Sequence, residues 1–469
     1  VSFAALFLVP IVNVRTLSQS DYGLYRQFWL LFDTVSIILV LGFPASLLYY
    51  FPRAEDRDEK SAYLSQTLLY LIVMGGISWL AYGAMAVFLR GDLGDAVRDY
   101  TWAFCLFTLF MMVSKVMERL FVAEKRAEQQ SLYLALSYFV QAATVVGVSW
   151  YTRRVDLIIW GLVVFTAAKA LFTFAYGSVA YGVSLRKCSL KSFKEQVSYA
   201  LPLGLATVVL LVFGQTDKYV ITHFLGREVF AVYSVGVTQL PFVDIIRNSV
   251  MNVVFPLMAE HQKRLDYSEI LSLWQRATLK MTVLFVPIFV FLELSARPFI
   301  TVLFTEEYAA ATPVFMIYLL VFLRSTVDTT TVLMVFKRNT FMFKVNLLAL
   351  AAHVTLSILM FKRFGWLGVP AATVTIVYIQ NGIFLWKSAS LLGRSLWNVL
   401  PWGAMLSRFL TAGLVGCGLY FVYRLRPVES FIGLCVAGMV YFSVYFALSF
   451  ALRFISVADI RSMFGRPAE

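Results

Sequence analysis

The chain has 469 residues, of which 60% are hydrophobic, 16% aromatic and only 14% charged, and its formal net charge is +13. Soluble domains carry roughly 45–50% apolar and 25% charged residues, so a water-soluble fold is excluded and length here counts helices rather than globular domains. The positive charge does not point to nucleic acid, because Lys and Arg sit in short clusters between apolar runs and not in one basic tract with interleaved aromatics.

Apolar runs long enough to cross a hydrocarbon layer of ~30 Å recur along the whole sequence. They predict an all-α integral membrane protein with about fourteen transmembrane helices. The first six fall at 1–14, 24–51, 62–89, 100–122, 131–151 and 157–183. The next six fall at 197–224, 230–259, 273–294, 309–336, 340–361 and 367–392, and the last two at 402–423 and 430–454. Connections are short throughout. The chain opens directly in an apolar stretch at Val1, without a basic start or a small-residue cleavage site, so a trimmed N-terminus is expected.

Pro44, Pro202, Pro241, Pro256, Pro287 and Pro370 lie inside these spans. Each would cost about 3 kcal/mol in a soluble helix, whereas membrane bundles satisfy the freed backbone groups through neighbouring helices and polar side chains. Kinks are expected there. Connections after even-numbered spans, together with a tail carrying Arg461 and Arg466, hold about 24 Lys and Arg, roughly twice the number on the other side. The positive-inside rule therefore places both termini in the cytoplasm.

A shift of about 208 residues lays the first six spans over the next six. Leu17-Ser18-Gln19-Ser20-Asp21-Tyr22-Gly23-Leu24-Tyr25 falls on Leu225-Gly226-Arg227-Glu228-Val229-Phe230-Ala231-Val232-Tyr233, Asp99-Tyr100 on Glu307-Tyr308, and Ser131 on Asn339. Because each unit has an even number of crossings, the copies should be related by a pseudo-twofold axis along the membrane normal, as two lobes flanking a central cleft. The expected organisation is a lobe at 1–195, a lobe at 196–392 and two extra helices with a tail at 393–469.

Four basic residues fall well inside predicted spans: Lys169, Lys218, Arg247 and Arg324. A charge at mid-bilayer costs about 2.5–3.5 kcal/mol even on the lenient insertion scale, so such residues face a cavity or a partner. Asp244, Arg247, Asn248 and Asn252 share one helical face by their spacing. Arg324, Asp328 and Thr331 repeat the idea in the tenth span, Asp217 adjoins Lys218 in the seventh, Lys115 and Glu118 lie one turn apart in the fourth, and Asp33 accompanies Ser36 in the second. Two readings follow. Asp244 with Arg247, Arg324 with Asp328 and Lys115 with Glu118 can be intrahelical pairs that satisfy one another. Alternatively Arg247, Arg324, Lys218 and Lys169, with Asn248 and Asn252, bind an anionic headgroup, guanidinium being suited to bidentate grasp of phosphate. Asp33, Asp217, Asp244 and Asp328 are candidates for binding a coupling proton or Na⁺.

His223 and His353 are isolated, and Cys105, Cys188, Cys417 and Cys435 show no pairing or metal spacing, so neither a metal nor a cofactor is expected. The aromatic content exceeds what interfacial belts require but is assigned to packing.

The segment at 15–25 with its acidic-Tyr-Gly-x-Tyr pattern (Asp21-Tyr22-Gly23-Leu24-Tyr25) and the Gly42-Phe43-Pro44-Ala45 step resemble signatures of the Wzx-type oligosaccharide flippases. So does Asp217-Lys218-Tyr219-Val220-Ile221-Thr222-His223-Phe224-Leu225-Gly226. These form the polysaccharide transporter branch of the MATE-like flippase superfamily. The resemblance spans essentially the whole chain, but its motifs are loose and none is catalytic. It implies a MATE-like fold and movement of an undecaprenyl-pyrophosphate-linked oligosaccharide from the cytoplasmic to the periplasmic leaflet of a bacterial inner membrane. It also implies an H⁺ or Na⁺ gradient as driving force and the polysaccharide polymerase machinery as a partner.

Three rivals are weighed against this. A multidrug exporter of the same superfamily would favour cationic drugs, which buried Arg and Lys oppose. A flippase for a peptidoglycan precursor must also bind a pyrophosphate and fits the same cations. A membrane enzyme acting on lipid-linked sugars would need an acid, base or metal site, usually on a sizeable loop, and the longest outer connections, at 90–99 and 295–308, are short.

Overall fold

The computed structural model describes residues 2–238, 240–425, 428 and 430–454. Arg461 and Arg466 of the tail lie outside the described residues. The fold is helical, and the chain divides into two compact units, Val1–Ser234 and Val235–Glu469.

The first unit contains α1 (Ser2–Thr16), α2 (Gln19–Val40), α3 (Ser46–Tyr50), α4 (Arg57–Phe88), α5 (Gly91–Ala123), α6 (Ala127–Thr152), α7 (Val155–Tyr181) and most of α8 (Leu190–Gly236). The second contains α9 (Pro241–Lys263), α10 (Tyr267–Leu294), α11 (Ala296–Phe304), α12 (Thr312–Leu323), α13 (Thr330–Val335), α14 (Asn339–Phe364) and α15 (Gly368–Leu391). It ends with α16 (Leu396–Val399), α17 (Trp402–Leu425) and α18 (Phe431–Ala451). Among the described residues eleven stretches are long and apolar enough to cross a bilayer, fewer than the fourteen expected. Two of the eleven hold two helical segments each: Leu190–Gly236, broken at Gly226, and Asn339–Leu391, which comprises α14 and α15.

Helix starts follow local chemistry. Ser18, Asp56, Asp266 and Ser430 cap α2, α4, α10 and α18 by accepting the backbone N–H three residues on, which satisfies one of the donors a helix leaves open at its N-terminus. Pro241, expected within a span, stands in the first turn of α9, where a missing N–H costs nothing. The eighth expected span is accordingly interrupted between Gly236 and Pro241.

Two further spans expected to be continuous are broken. In the second, α2 ends at Val40, Leu41 (φ 44) and Gly42 (φ 69) turn left-handed, and Pro44 opens a single 3₁₀ turn. Backbone groups freed inside a membrane must find partners within the protein, and neighbouring helices supply polar contacts at this break. Tyr70 Oη donates to Leu39 O at 2.8 Å, and Gln196 of α8 donates to Ser46 Oγ at 3.0 Å and Thr67 Oγ1 at 3.1 Å. A side chain on Gly204 would overlap the Leu41 carbonyl, so glycine is what lets α8 approach this break. In the tenth, a 3₁₀ turn at Arg324–Thr326 and an extended Val327 separate α12 from α13. There Trp274 Nε1 donates to Asp328 O at 2.8 Å and Ser388 Oγ to Thr329 O at 3.3 Å.

Candidate functional site

Polar side chains gather at one place within each unit. In the first unit α8 is fixed on α2 by Gln27 Nε2, which donates to Thr222 Oγ1 at 2.6 Å, and by Tyr219 Oη, which donates to Thr34 Oγ1 at 2.8 Å. That register brings Lys218 of α8 within electrostatic reach of Asp33 on α2, together with Lys115 of α5 and Arg26, two turns before Asp33 on the same helix. Three basic side chains therefore act on Asp33, while Asp217 also acts on Lys218 and Glu118 on Lys115. Lys218 Nζ donates to Gln215 Oε1 at 2.6 Å, and Lys115 Nζ stands 5.5 Å from the centre of the Phe32 ring. Ser36 turns its hydroxyl to the Asp33 backbone carbonyl (3.2 Å) and leaves the carboxylate to the cations.

Glu118 does not pair with Lys115, one turn away on α5. It meets Lys169 of α7 at 3.8 Å, and the ammonium of Lys169 also lies 5.4 Å from the Tyr133 ring. Asp217, almost wholly buried, accepts a hydrogen bond from Tyr233 Oη at 2.7 Å. This ties the segment after Gly226 back onto the segment before it.

The Gly226 break is itself built from side chains. Gly226 has φ +80, a conformation that favours glycine, and a Cβ there would stand 2.7 Å from Asp92 Oδ2 and displace that carboxylate. The same carboxylate oxygen accepts from Arg227 N at 2.8 Å, capping the segment that follows, and lies 3.7 Å from Arg227 Nε.

In the second unit, α9 turns Val243, Ile246, Val250 and Met251 toward α10 and leaves Asp244, Asn248 and Asn252 exposed along the opposite face. Arg247 pairs with Asp244 at 3.1 Å, so the intrahelical reading holds for this pair. It does not hold for Arg324 with Asp328, because the helix breaks between them. Asp328 Oδ1 instead accepts from Thr330 N, Thr330 Oγ1 and Thr331 N, each at 2.9 Å, and caps α13. Arg324 is left with a buried Nε that has no acceptor, within electrostatic reach of Arg247, Asp328, Tyr378 and Asp244.

Sequence reasoning places Lys218 and Asp33 among the candidates without joining them, and it passes over Arg26. The signal for Arg26 is present, since a residue seven before Asp33 shares its helical face. The triplet around Asp33 needs the contact between α2, α5 and α8, which no single helix encodes.

A model of the family described as "Polysaccharide biosynthesis protein" matches residues 2–262, more than half of the chain. The chain belongs to this polysaccharide biosynthesis family. A second family model, described as "Lipid II flippase MurJ", matches residues 220–419 of this family member. No curated protein matches it. Among solved structures it resembles lipid II flippase MurJ in an inward closed conformation, with TM-score 0.72 and 13% identity over 96% of this chain and 97% of that one. It also resembles a multidrug resistance MATE family transporter of the MOP superfamily in an inward-facing conformation, with TM-score 0.68 and 12% identity over 84% and 96%. A MOP superfamily transporter from Pyrococcus furiosus gives TM-score 0.53 at 13% identity over 84% and 96%. At these identities the likeness establishes a shared fold and no more, and with eleven apolar stretches among the described residues the chain is a multi-pass membrane protein.

Proposed function

We propose that the protein translocates an undecaprenyl-pyrophosphate-linked oligosaccharide from the cytoplasmic to the periplasmic leaflet of a bacterial inner membrane for cell-surface polysaccharide synthesis. The observation that carries the reading is a cluster of basic side chains at a polar site in each unit, one of them with a buried N–H that has no acceptor among the described residues. Arg26, Lys115 and Lys218 lie within electrostatic reach of Asp33, and Arg324 keeps an unpartnered guanidinium N–H beside Arg247. A buried guanidinium N–H without an acceptor suits a ligand that brings its own negative charge, and a pyrophosphate does so. Family membership supports the polysaccharide context, and the likeness to a lipid II flippase supports a lipid-linked substrate.

In this reading the candidate anion-binding residues are Lys218 and Lys169 in the first unit and Arg247 and Arg324 in the second, the latter with Asn248 and Asn252 on the same unit. Asp33, Asp217, Asp244 and Asp328 are the carboxylates from which an H⁺ or Na⁺ coupling site is drawn, Asp33 first because Arg26, Lys115 and Lys218 all lie in its electrostatic reach. Access alternates between the two faces of the membrane, both termini lie in the cytoplasm, and the product passes to the polymerase machinery. A peptidoglycan-precursor flippase is the second reading, favoured by the match of residues 220–419 to that family's model. Export of cationic drugs is opposed by the same positive sites. The families and neighbours are transport or biosynthesis proteins, which supports a transporter over an enzyme.

The test is translocation of a lipid-linked glycan in proteoliposomes by wild type, Arg247→Ala, Arg324→Ala and Lys218→Ala. Reduced transport at equal protein level is expected for each, and normal transport in all three would remove the anion-site reading.

A further inference from the structure

Arg408 of α17 is only 8% exposed, yet it belongs to neither polar site described above. Its Nη1 donates to Ala404 O at 2.7 Å and its Cζ lies 4.6 Å from the centre of the Phe454 ring. Its Nε is buried without an acceptor. Among the described residues no carboxylate pairs with it, and the ionisable group in its electrostatic reach is the hydroxyl of Tyr445. Tyr445 and Ser449, one turn apart on α18, are both fully buried, and their hydroxyls neighbour one another with no other hydrogen-bond partner among the described residues.

A buried guanidinium with no anion among the described residues and a pair of neighbouring hydroxyls thus meet where α17 packs on α18. Buried polar groups of this kind are nearly always satisfied, so the missing acceptor comes from outside the described chain. It must be anionic, offer several oxygens and reach between two helices from the bilayer. Arg408 falls on the Lys- and Arg-rich side of the membrane, with Arg394 and Arg453 exposed at the adjoining helix ends. Basic pockets between helices on that side receive anionic lipid headgroups. The outer faces beside it, with Leu406, Leu410, Phe450 and Leu452 exposed, are apolar enough for acyl chains.

We propose that Arg408, Tyr445 and Ser449 bind the phosphodiester of an anionic glycerophospholipid of the cytoplasmic leaflet, held as a resident lipid and not as cargo. The headgroup oxygens accept from Arg408 Nε and both hydroxyls, and the Phe454 ring, half-buried over the guanidinium, is the group displaced. This inference does not depend on the transport reading.

The experiment uses the full-length protein, delipidated in detergent and titrated with phosphatidylglycerol, phosphatidylcholine or undecaprenyl phosphate, with binding read by native mass spectrometry and by thermal shift. Phosphatidylglycerol is expected to bind and raise the melting temperature, and phosphatidylcholine to bind about tenfold more weakly or worse. Arg408→Gln should lose the phosphatidylglycerol response. Should that variant fail to fold, Tyr445→Phe with Ser449→Ala, which keeps the cation and the packing, decides the matter through a several-fold weaker affinity. Asp459→Asn, removing a carboxylate five residues beyond Phe454 in the sequence, should change nothing. Equal binding of the two phospholipids, unaltered affinity in the double variant, tighter binding in Asp459→Asn, or undecaprenyl phosphate outcompeting phosphatidylglycerol would each overturn the proposal.

Discussion

Arg324→Ala separates a binding role from a structural one because the two predict opposite signs in stability. The Arg324 side chain makes no hydrogen bond within the described residues, and its Nε is buried without an acceptor. Truncation therefore breaks no hydrogen bond, and against the lost attraction to Asp328 and Asp244 it relieves the cost of holding a charge in the membrane, about 2.5–3.5 kcal/mol at the midplane. That figure is an upper bound for a half-buried side chain, so the variant should be between neutral and about 2 kcal/mol more stable than wild type. If the guanidinium grips a phosphate, its charge-assisted hydrogen bonds contribute about 1.5–3 kcal/mol, and affinity for a lipid-linked pyrophosphate should fall roughly 10- to 150-fold. Thermal unfolding in detergent and ligand titration on the same preparation measure both. A variant that melts earlier and binds as wild type does would refute the reasoning, since Arg324 would then be structural.

Gly204→Ala should destabilise by about 1–3 kcal/mol, because the new methyl meets the Leu41 carbonyl, a backbone group that cannot swing aside; the melting temperature checks this. Asp92→Ala removes the acceptor for Arg227 N and should cost about 1–2 kcal/mol, whereas Asp92→Asn keeps an acceptor oxygen and should cost much less. Trp274→Phe loses the bond to Asp328 O and leaves a cavity where the fully buried pyrrole ring stood, and should cost about 2–4 kcal/mol. The bond from the Ser268 hydroxyl, followed by that from Glu269 N, holds the Asp266 carboxyl below its usual range, so the cap contributes above the ordinary carboxylate pKa of about 3.9 and is lost as pH falls through its lowered value. Hydrogen exchange at the start of α10 should accelerate on acidification over that window, and Asp266→Asn should remove the pH dependence.

The helical membrane class is legible from apolar run length alone, because the bilayer leaves a spanning segment few alternatives to a fully hydrogen-bonded helix. The breaks are less so. Pro44 and Pro241 signal departures, but whether a proline kinks a span or begins one depends on partners such as Tyr70 and Gln196, which lie far along the chain. The interruption after Arg324 carries no proline and rests on Trp274, Ser388 and the capping carboxylate of Asp328. Buried charges can be counted in sequence, yet their pairing cannot. Lys115 and Glu118 have ideal helical spacing, but Glu118 meets Lys169 from α7 because that helix packs along α5. Arg408 reads in sequence as one of the basic residues near a helix end, and only the packing of α18 shows it buried.

The most direct measurement is the appearance of a fluorescently tagged undecaprenyl-pyrophosphate oligosaccharide on the far leaflet of proteoliposomes, detected with a membrane-impermeant quencher. Wild-type protein should expose the tag well above the rate of protein-free vesicles, and Lys218→Ala should fall toward that background. Equal rates with and without the wild-type protein, in both the presence and absence of H⁺ and Na⁺ gradients, would contradict the account.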